Sequence, residues 1–488
     1  MEMLVRRFVA TSVGLLVAAA IQPSAVALAQ PEATLEGRAV LPADTFAEGP
    51  SSGADLEDET KGGREPPFEG QPVGGISAVL DAGEGKYKAM PDNGFGKKGN
   101  SSDFLLRVYS IRPDFETADG GSGEISYGEF VQLRDPDRWI PFEITNENSE
   151  DRLLTGADFD IESVRQDPQG DLWFGDEFGP FLLHTDATGR VLEAPIPLPD
   201  VKSPENPTLE EGEEPTLATS KGFEGMALST DGGTLYPMLE GALEEDEDQR
   251  QRFIYEFDLG SRSYTGERWR YHTEEPEYSI GDLTALDDGR FLVIERDNEQ
   301  GEEAHFKKVY LVDLARTASE GFLIKREVLD LLSIRDPGQI SSPEREGDIG
   351  LGDPFSVPFQ TIESILSLRD GRLLLLNDNN YPLSAGRNPD QPDDTEAIIV
   401  RANALLDSSP TRQMPGTGGP SLLLPLGSAL LITGALGVIT LRCSRFSRGR
   451  VVGRGERLCR KYGGRRTHCQ GLYTTVCSWI LTVGSNRG

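Results

Sequence analysis

The chain has 488 residues, of which 81 are acidic and 48 basic, and its formal net charge at pH 7 is −33. Such a surface repels nucleic acid, because phosphate binding requires clusters of Lys and Arg, and we expect no nucleic-acid partner. The same surface suits a divalent cation or a calcium-rich exterior. All four cysteines lie at or beyond Cys443, so the preceding chain has no disulfide framework and depends on a large core.

The first 29 residues have the pattern of a secretory signal peptide. Arg6 and Arg7 precede an uncharged stretch at 8–21, and the small residues on either side of position 28 are typical of a signal-peptidase site. We expect cleavage after Ala29, which leaves Gln30 as the mature N-terminus. An uncleaved N-terminal membrane anchor is the alternative.

A linker and one large β-rich body are predicted next. Residues 30–70 are rich in Gly, Pro, Ser and Glu, which predicts mostly linker with one strand near 39–41. Residues 71–405 have almost no helical periodicity. Short β-rich runs recur there between Asp-Gly and Pro-Gly turn signals, so we treat this span as a single domain.

The β-rich runs repeat five times. The copies begin at 75–79, 161–164, 223–226, 281–284 and 362–365. In the last four copies, this first strand is followed by a glycine-containing turn and then by a second apolar strand. The second strand ends in polar, mainly acidic residues. This pattern is typical of propeller blades and predicts an all-β propeller of five or six blades, with six if 101–150 closes a blade of its own. A β-sandwich with meanders is the alternative.

An acid stands near the start of the inner strand in four copies: Glu162, Glu224, Asp282 and Glu363. Propeller symmetry would bring these carboxylates together, where they repel unless protonated, paired with Arg or bridged by a cation. Calcium is the cation expected outside a cell. A second tier of acids follows the second strands: Asp176, Glu177, Glu295, Asp297 and Asp378. The alternative is that these acids cap turns or accept bonds from backbone amides.

Several ordered motifs resemble the phytase-like domain, also called the esterase-like activity of phytase family. They are Asp92-Asn93-Gly94-Phe95-Gly96, Asp176-Glu177-Phe178-Gly179-Pro180, Gly222-Phe223-Glu224-Gly225-Met226-Ala227, Ile280-Gly281-Asp282-Leu283-Thr284-Ala285, Phe306-Lys307-Lys308-Val309-Tyr310 and Asn377-Asp378-Asn379-Asn380-Tyr381-Pro382. The likeness covers about 71–402. It implies a phosphoester or ester hydrolase activity.

The sequence lacks the motifs that several other classes of hydrolase require. The sequence has no cysteine before position 443 to act as a nucleophile, and no phosphate-binding Gly-rich loop ending in Lys-Ser/Thr. We therefore expect a metal-held water to attack a small phosphoester, with a carboxylate as general base, and name Glu224, Glu363 and Asp282 as catalytic candidates. The candidate phosphate-binding residues are Arg107, Arg296, Lys308 and Arg387. Each of these four also suits an ordinary ion pair.

A non-enzymatic function is the alternative reading of the same domain. A surface propeller that binds a partner protein or a wall polymer would need only an anchor and exposed insertions. The sequence does not name a substrate, and we expect a monomer. A phosphatase assay with and without a chelator separates the two hypotheses.

The C-terminal segments predict a surface anchor. A second linker at 406–420 contains Met-Pro-Gly-Thr-Gly at 414–418, and the 21 residues of 421–441 carry no charge. That length suits a membrane-spanning helix. The tail at 442–488 holds eleven basic residues and one acidic residue, which favours the cytoplasmic side.

These three features resemble the sorting signal of Gram-positive surface proteins. In that family a sortase cuts between the Thr and the Gly, here Thr417 and Gly418, and joins the Thr to peptidoglycan. Met414 replaces the usual Leu, and the tail is longer than such signals normally have. The alternative is a stop-transfer helix that keeps the protein in the membrane through 421–441. Either way, the domain is expected to be exported and extracellular.

Overall fold

The computed structural model describes residues 32–342, 345–368 and 370–406. Within these ranges the secondary structure is almost entirely β, which confirms the all-β prediction. No helix in this part of the chain is long and apolar enough to cross a membrane. The predicted signal peptide, processing site, membrane span and basic tail lie outside the described residues, and so does nearly all of the second linker.

The strands have the following bounds. The N-terminal strands are β1 (Ala33–Leu41), β2 (Phe46–Ala47) and β3 (Gln71–Pro72). Unit 1 contains β4 (Ile76–Gly83), β5 (Lys86–Pro91), β6 (Arg107–Asp114) and β7 (Glu124–Gln132). Unit 2 contains β8 (Ile161–Gln166), β9 (Leu172–Asp176), β10 (Phe181–Thr185) and β11 (Ile196–Pro197).

The later strands continue the pattern. Unit 3 contains β12 (Phe223–Leu228), β13 (Thr234–Leu239), β14 (Gln251–Asp258) and β15 (Ser263–His272). Unit 4 contains β16 (Ser279–Asp287), β17 (Arg290–Arg296), β18 (Lys307–Thr317) and β19 (Leu323–Asp330). Unit 5 contains β20 (Thr361–Ser367), β21 (Arg372–Asp378) and β22 (Thr395–Ala402), with β1 as its fourth strand. The helical turns are α1 (Asn403–Leu406) and two 3₁₀ turns at Lys61–Gly63 and Gly301–Glu303.

The N-terminal strand closes the structure. β1 runs antiparallel to β22 and also meets β7 of unit 1 in a parallel bridge at Val40 and Glu124. An ion pair between Arg38 Nη2 and Glu396 Oε1, 2.7 Å apart, reinforces the β1–β22 pairing. The two ends of the domain are thus held in one sheet, and no edge is left between its last and first units.

The core lies between neighbouring units. The innermost strands β4, β8, β12, β16 and β20 contact one another in that order, and β20 contacts β4. Five apolar clusters fill the five spaces between adjacent units. In β17, Phe291 and Val293 pack toward unit 3, whereas Leu292 and Ile294 pack toward unit 5, because successive side chains leave opposite faces of a strand. This circular arrangement is propeller-like.

Two segments differ from the sequence prediction. Residues 30–70 were expected to be mostly linker, but the described part contains β1, paired along its length with β22, and β2, paired with β3. The strand predicted near 39–41 lies within β1, which extends back to Ala33 and alternates buried and half-buried positions. The stretch 101–150 does not form a separate unit; it supplies β6 and β7 of unit 1.

Candidate functional site

Each innermost strand carries a β-bulge close to its first end. The pairing with the second strand skips one residue there, and such a bulge re-aims the side chain of the extra residue. The skipped residues are Ser77, Glu162, Glu224, Gly281 and Glu363. Because the inner strands lie in a circle, these equivalent positions face a common centre.

A second set of equivalent positions lies beside the bulges. In each unit, the residue just before the bulge pairs with a residue of the second strand. The second set consists of the residues that directly follow these pairing partners in the chain. These residues are Asp92, Glu177, Glu240, Arg296 and Asp378. Four units therefore present an acid here, and unit 4 presents an arginine.

Eight of these ten positions, all except Ser77 and Gly281, line one cavity of about 230 Å³ at the N-terminal ends of the inner strands. The acidic residues of its lining are Asp92, Asp160, Glu162, Glu177, Glu224, Glu240, Glu363 and Asp378. Its basic residues are Lys221 and Arg296. Eight carboxylates against two cations leave a formal excess of six negative charges.

Three of the four acids predicted to converge do so: Glu162, Glu224 and Glu363 line the cavity. Asp282 does not. The bulge of β16 falls on Gly281, so Asp282 lies one residue further along and points to the opposite face. Its Oδ1 accepts a hydrogen bond from Arg165 Nη2 at 3.1 Å and its Oδ2 one from the backbone N–H of Ile365 at 3.0 Å. The structure thus gives Asp282 a structural role in place of the predicted catalytic and metal-binding one.

The predicted second tier is divided in the same way. Glu177 and Asp378 line the cavity. Asp176 is fully buried and accepts hydrogen bonds from the backbone N–H groups of Asp160 at 2.9 Å and Gly179 at 2.7 Å, so it binds backbone amides, which is the alternative that the sequence left open. Glu295 pairs with Lys325, and Asp297 pairs with Lys307, both outside the lining.

Of the four predicted phosphate-binding residues, only Arg296 lines the cavity. The other three are engaged elsewhere: Arg107 by Gln132 at 2.9 Å, Lys308 by Glu327 at 2.7 Å, and Arg387 by both carboxylate oxygens of Glu396 at 2.9 Å. Lys308 and Arg387 therefore form ordinary ion pairs, as the alternative expected, whereas Arg107 is held by a neutral side chain.

Arg296 and Lys221 form the basic side of the cavity. Arg296 Nη2 lies 2.7 Å from Glu363 Oε1 and 3.5 Å from Glu240 Oε1, and Lys221 pairs with Glu240. Sequence reasoning missed Lys221. Its position directly before the Gly222-Phe223-Glu224-Gly225 motif was the available signal, since a residue next to a converging acid is brought to the same cavity.

Four carboxylate oxygens in the cavity lining have no hydrogen-bond partner: Asp160 Oδ1, Glu162 Oε2, Glu177 Oε1 and Glu224 Oε1. Arg296 Nε also lacks an acceptor. A buried polar atom without a partner costs roughly 1–3 kcal/mol, and more when charged, so each such atom needs an explanation. A bound cation or ordered water would satisfy the oxygens.

The cavity strongly favours protonated carboxyls when no cation is bound. Burial and the neighbouring Asp160 raise the pKa of Asp92 to about 8. Burial raises the pKa of Asp160 and of Asp378 to about 7. Burial also raises the pKa of Glu363 to about 7, against the opposing effect of Arg296. For Glu162, burial and the adjacent acids raise the pKa well above its ordinary value.

The pKa of Glu240 is shifted in the opposite direction. Burial alone would raise its pKa, but Lys221 and Arg296 outweigh burial and lower it. The cavity therefore contains one carboxylate held ionised by fixed cations and several that share protons. Such separation of proton affinities is common at functional sites.

Two groups of carboxylates offer cation sites. The ligand oxygens of Asp92, Asp160 and Glu162 lie within 4.8 Å of one another, and so do those of Glu162, Glu224 and Glu363. Glu162 belongs to both groups. Oxygen-only donors of this kind suit hard cations such as calcium and magnesium. The acid clusters fit a metal ion by geometry, and the partnerless oxygens of Glu162 and Glu224 agree with that fit.

The chain is similar to several known proteins. An uncharacterized secreted protein of Arthroderma benhamiae is 26% identical over 230 residues, which are 39% of this chain and 44% of that relative. The chain thus spans less than half the length of that curated relative. Among solved structures, a GH43 β-1,3-galactosidase bound to galactodeoxynojirimycin is 12% identical with a TM-score of 0.34, over 70% of this chain and 94% of that one.

A luciferin-regenerating enzyme is 13% identical with a TM-score of 0.31, over 67% of this chain and 78% of that one. A xylan β-1,4-xylosidase of Bacillus halodurans is 12% identical with a TM-score of 0.35, over 68% of this chain and 55% of that one. Residues 71–381 match the phytase-like family, described as "Esterase-like activity of phytase". This match confirms the resemblance seen in the motifs, and the chain belongs to the phytase-like family.

Proposed function

We propose that the five units are the blades of a five-bladed propeller and that its acidic cavity hydrolyses an extracellular phosphoester with the help of divalent cations. The description of the family as esterase-like supports a hydrolase. The position of the cavity, where equivalent residues of all the units converge, supports a single active site on the axis.

The observation that carries this proposal is the set of partnerless atoms in the cavity. Four carboxylate oxygens without donors and one arginine Nε without an acceptor lie in the same lining. The oxygens call for a cation, and Arg296 Nε offers a donor to an anion. A phosphate bound through cations and an arginine would satisfy both kinds of atom.

Calcium is the cation we propose. Glu162 belongs to both clusters of carboxylates and would contact a cation bound in either cluster. The first cluster also contains Asp92 and Asp160, and the second also contains Glu224 and Glu363. A cation there supplies neutralising charge and polarises a phosphoryl oxygen. Without it, those carboxylates of the lining that are ionised would repel a phosphate group.

The protein's own residues have separate tasks in the reaction. Arg296 and Lys221 bind and orient phosphate oxygens, since both are cationic and face the cavity. Burial and the neighbouring acids raise the pKa of Glu224, so it would be ionised only with a cation bound. In that state Glu224, whose Oε1 has no partner, would accept a proton from the attacking water. The water oxygen bonds to phosphorus as the ester P–O bond breaks, and the proton taken up by Glu224 passes to the oxygen of the departing alcohol. Glu363 is held by Arg296 and keeps that guanidinium in place.

The test uses the purified full chain after treatment with EDTA. We expect hydrolysis of p-nitrophenyl phosphate only when calcium is restored, together with a rise in melting temperature that follows calcium concentration. Glu224→Gln should abolish hydrolysis while the chain stays folded. Glu267→Gln is the matched control, because Glu267 is exposed on β15 and its loss removes the same charge outside the cavity.

The outcomes separate the functions. Hydrolysis that survives both the chelator and Glu224→Gln would reject the proposed site. A calcium-dependent melting temperature without hydrolysis of p-nitrophenyl phosphate or p-nitrophenyl acetate would favour the non-enzymatic propeller that binds a partner protein or wall polymer.

We also propose that the chain is exported and held at the cell surface. The signal-peptide pattern supports export, as does the similarity to a protein described as secreted. The motif at 414–418 and the apolar stretch at 421–441 support an anchor, made either by a sortase or by the membrane span. Mass spectrometry of the surface protein decides between them. A C-terminus at Thr417 supports sortase cleavage before Gly418, and tail peptides beyond position 450 support a membrane anchor.

A further inference from the structure

A second cluster of possible ligands lies in unit 2, away from the acidic cavity. It consists of Asp167 and Asp171, in the turn between β8 and β9, and His184 near the end of β10. β8 begins at the cavity and runs six residues toward this turn, roughly 20 Å at about 3.3 Å per residue. The cluster is therefore at the opposite end of the strands from the cavity.

His184 is held in a fixed orientation. Its side chain is only 2% exposed, and its ring stacks on Trp173 with centroids 3.9 Å apart and an interplanar angle of 12°. Its Nδ1 lies 2.7 Å from Glu193 Oε1. Its other nitrogen, Nε2, has no hydrogen-bond partner and lies 3.7 Å from Asp171 Oδ2.

The contact with Glu193 fixes the tautomer of His184 and so decides whether Nε2 can act as a metal ligand. An ionised carboxylate only accepts hydrogen bonds, so the proton of a neutral His184 ring lies on Nδ1. The lone pair of Nε2 then points, buried and unsatisfied, toward the two aspartates. A carboxylate that fixes the far nitrogen of a histidine in this way is the usual support of a metal-binding imidazole.

The two aspartates complete the arrangement. Ligand atoms of Asp167, Asp171 and His184 all lie within 4.8 Å of one another. Asp167 is fixed by the backbone N–H of Asp171 at 3.0 Å and by Trp173 Nε1 at 3.1 Å. The side chain of Asp171 is 31% exposed, so the cluster is open to solvent on that side. Water can fill the remaining positions around an ion.

We propose that Asp167, Asp171 and His184 form a binding site for a divalent transition-metal cation of the zinc type. One imidazole nitrogen with carboxylate oxygens suits zinc, whereas calcium takes oxygen ligands. The site is independent of the acidic cavity and of any hydrolysis there. A bound ion would join the β8–β9 turn to β10 and stabilise unit 2 by mass action.

The experiment uses Co²⁺ as the probe and the fluorescence of Trp173 as the readout. Co²⁺ bound at His184 Nε2 lies next to the stacked indole and should quench its emission. The purified full chain is treated with EDTA, and its cysteines are alkylated so that the thiols of the C-terminal tail cannot bind the ion. We expect saturable quenching that Zn²⁺ reverses and an equal concentration of Ca²⁺ does not.

Variants locate the site. Asp171→Asn, at a partly exposed position, should weaken Co²⁺ binding at least tenfold without lowering the melting temperature of the metal-free chain. Trp173→Phe should remove the quenching, and Glu267→Gln should leave it unchanged. Quenching of equal affinity in the parent chain and in Asp171→Asn would overturn the proposal, as would the absence of quenching at millimolar Co²⁺. His184→Gln removes the proposed nitrogen ligand, and the same titration should show weakened Co²⁺ binding in this variant.

Discussion

Arg296 Nη2 donates a hydrogen bond to Glu363 Oε1 at 2.7 Å and so joins unit 4 to unit 5 inside the acidic cavity. Both side chains are almost fully buried, at 4% and 7% exposure. Arg296 occupies the position at which the other four units place Asp92, Glu177, Glu240 or Asp378. The propeller-like symmetry is therefore broken at one unit, and the break puts a positive charge among the acids.

Replacing this arginine should strongly destabilise the fold. Arg296→Met leaves buried Glu363 and Glu240 without their shared partner, and loss of one member of a buried ion pair costs about 3–5 kcal/mol. Urea unfolding in the presence of EDTA measures the loss. Arg190→Met is the control: its pair with Asp137 is 45% and 40% exposed, so its loss should have little effect on the free energy of unfolding. Equal losses in the two variants would contradict this account.

Glu162 should matter more for cation binding than Glu224. Glu162 belongs to both carboxylate groups of the cavity, whereas Glu224 belongs to one. In Glu162→Gln, the calcium-dependent rise in melting temperature should be nearly lost. In Glu224→Gln, we expect a rise that requires roughly tenfold more calcium, equivalent to about 1.4 kcal/mol. A larger effect in Glu224→Gln than in Glu162→Gln would argue against the shared role of Glu162.

Much of this site could be predicted from the repeats. The recurring strand, turn and strand identified the all-β fold, and the acids at one repeat position identified Glu162, Glu224 and Glu363. Asp282 was misplaced because the motif around it was aligned one residue out of register with the other copies. A bulge leaves no mark in residue spacing, yet a slip of one residue moves a side chain to the other face of a strand.

The remaining errors have a similar origin. Whether a basic residue faces a cavity or a carboxylate distant in sequence depends on pairings that only the fold creates. Lys308 illustrates this, since it bonds Glu327, 19 residues further along the chain, across the pairing of β18 with β19. Only the end of β1, near 39–41, was predicted as a strand, and its earlier residues were taken for linker, because its partner, β22, lies more than 350 residues away in the chain.

The corrected role of Asp282 gives a third prediction. Asp282 of unit 4 pairs with Arg165 of unit 2 at 3.1 Å, and both side chains are buried. Asp282→Asn leaves Arg165 without its counter-charge, so the free energy of unfolding should fall by about 3 kcal/mol or more. The calcium concentration that gives half of the melting-temperature rise should stay as in the parent chain. A shift in that concentration as large as in Glu224→Gln would return Asp282 to the cation site.

Stability should depend on pH in a direction set by the cavity. The pKa of Asp92 is raised to about 8, and those of Asp160, Asp378 and Glu363 to about 7, all mainly by burial. In the unfolded chain these groups titrate near pH 4. Between about pH 4 and pH 8 the folded state therefore binds more protons than the unfolded state, and the free energy of unfolding falls as pH rises.

Glu396 contributes with the opposite sign and in another range. Burial would raise its pKa, but Arg387 and Arg38 lower it, so its contribution is complete at neutral pH and is lost only below about pH 4. Urea unfolding of the metal-free chain at several values from about pH 5 to pH 8 avoids the range in which Glu396 titrates. Burial also raises the pKa of Asp176 and Asp393, outside the cavity lining, to about 7, and they add to the same trend. We expect stability to decrease steadily over that range. Saturating calcium should flatten the decrease, because the cation replaces the protons that the carboxylates hold at lower pH. A metal-free chain that gains stability toward pH 8 would show that the cavity acids are ionised without a cation.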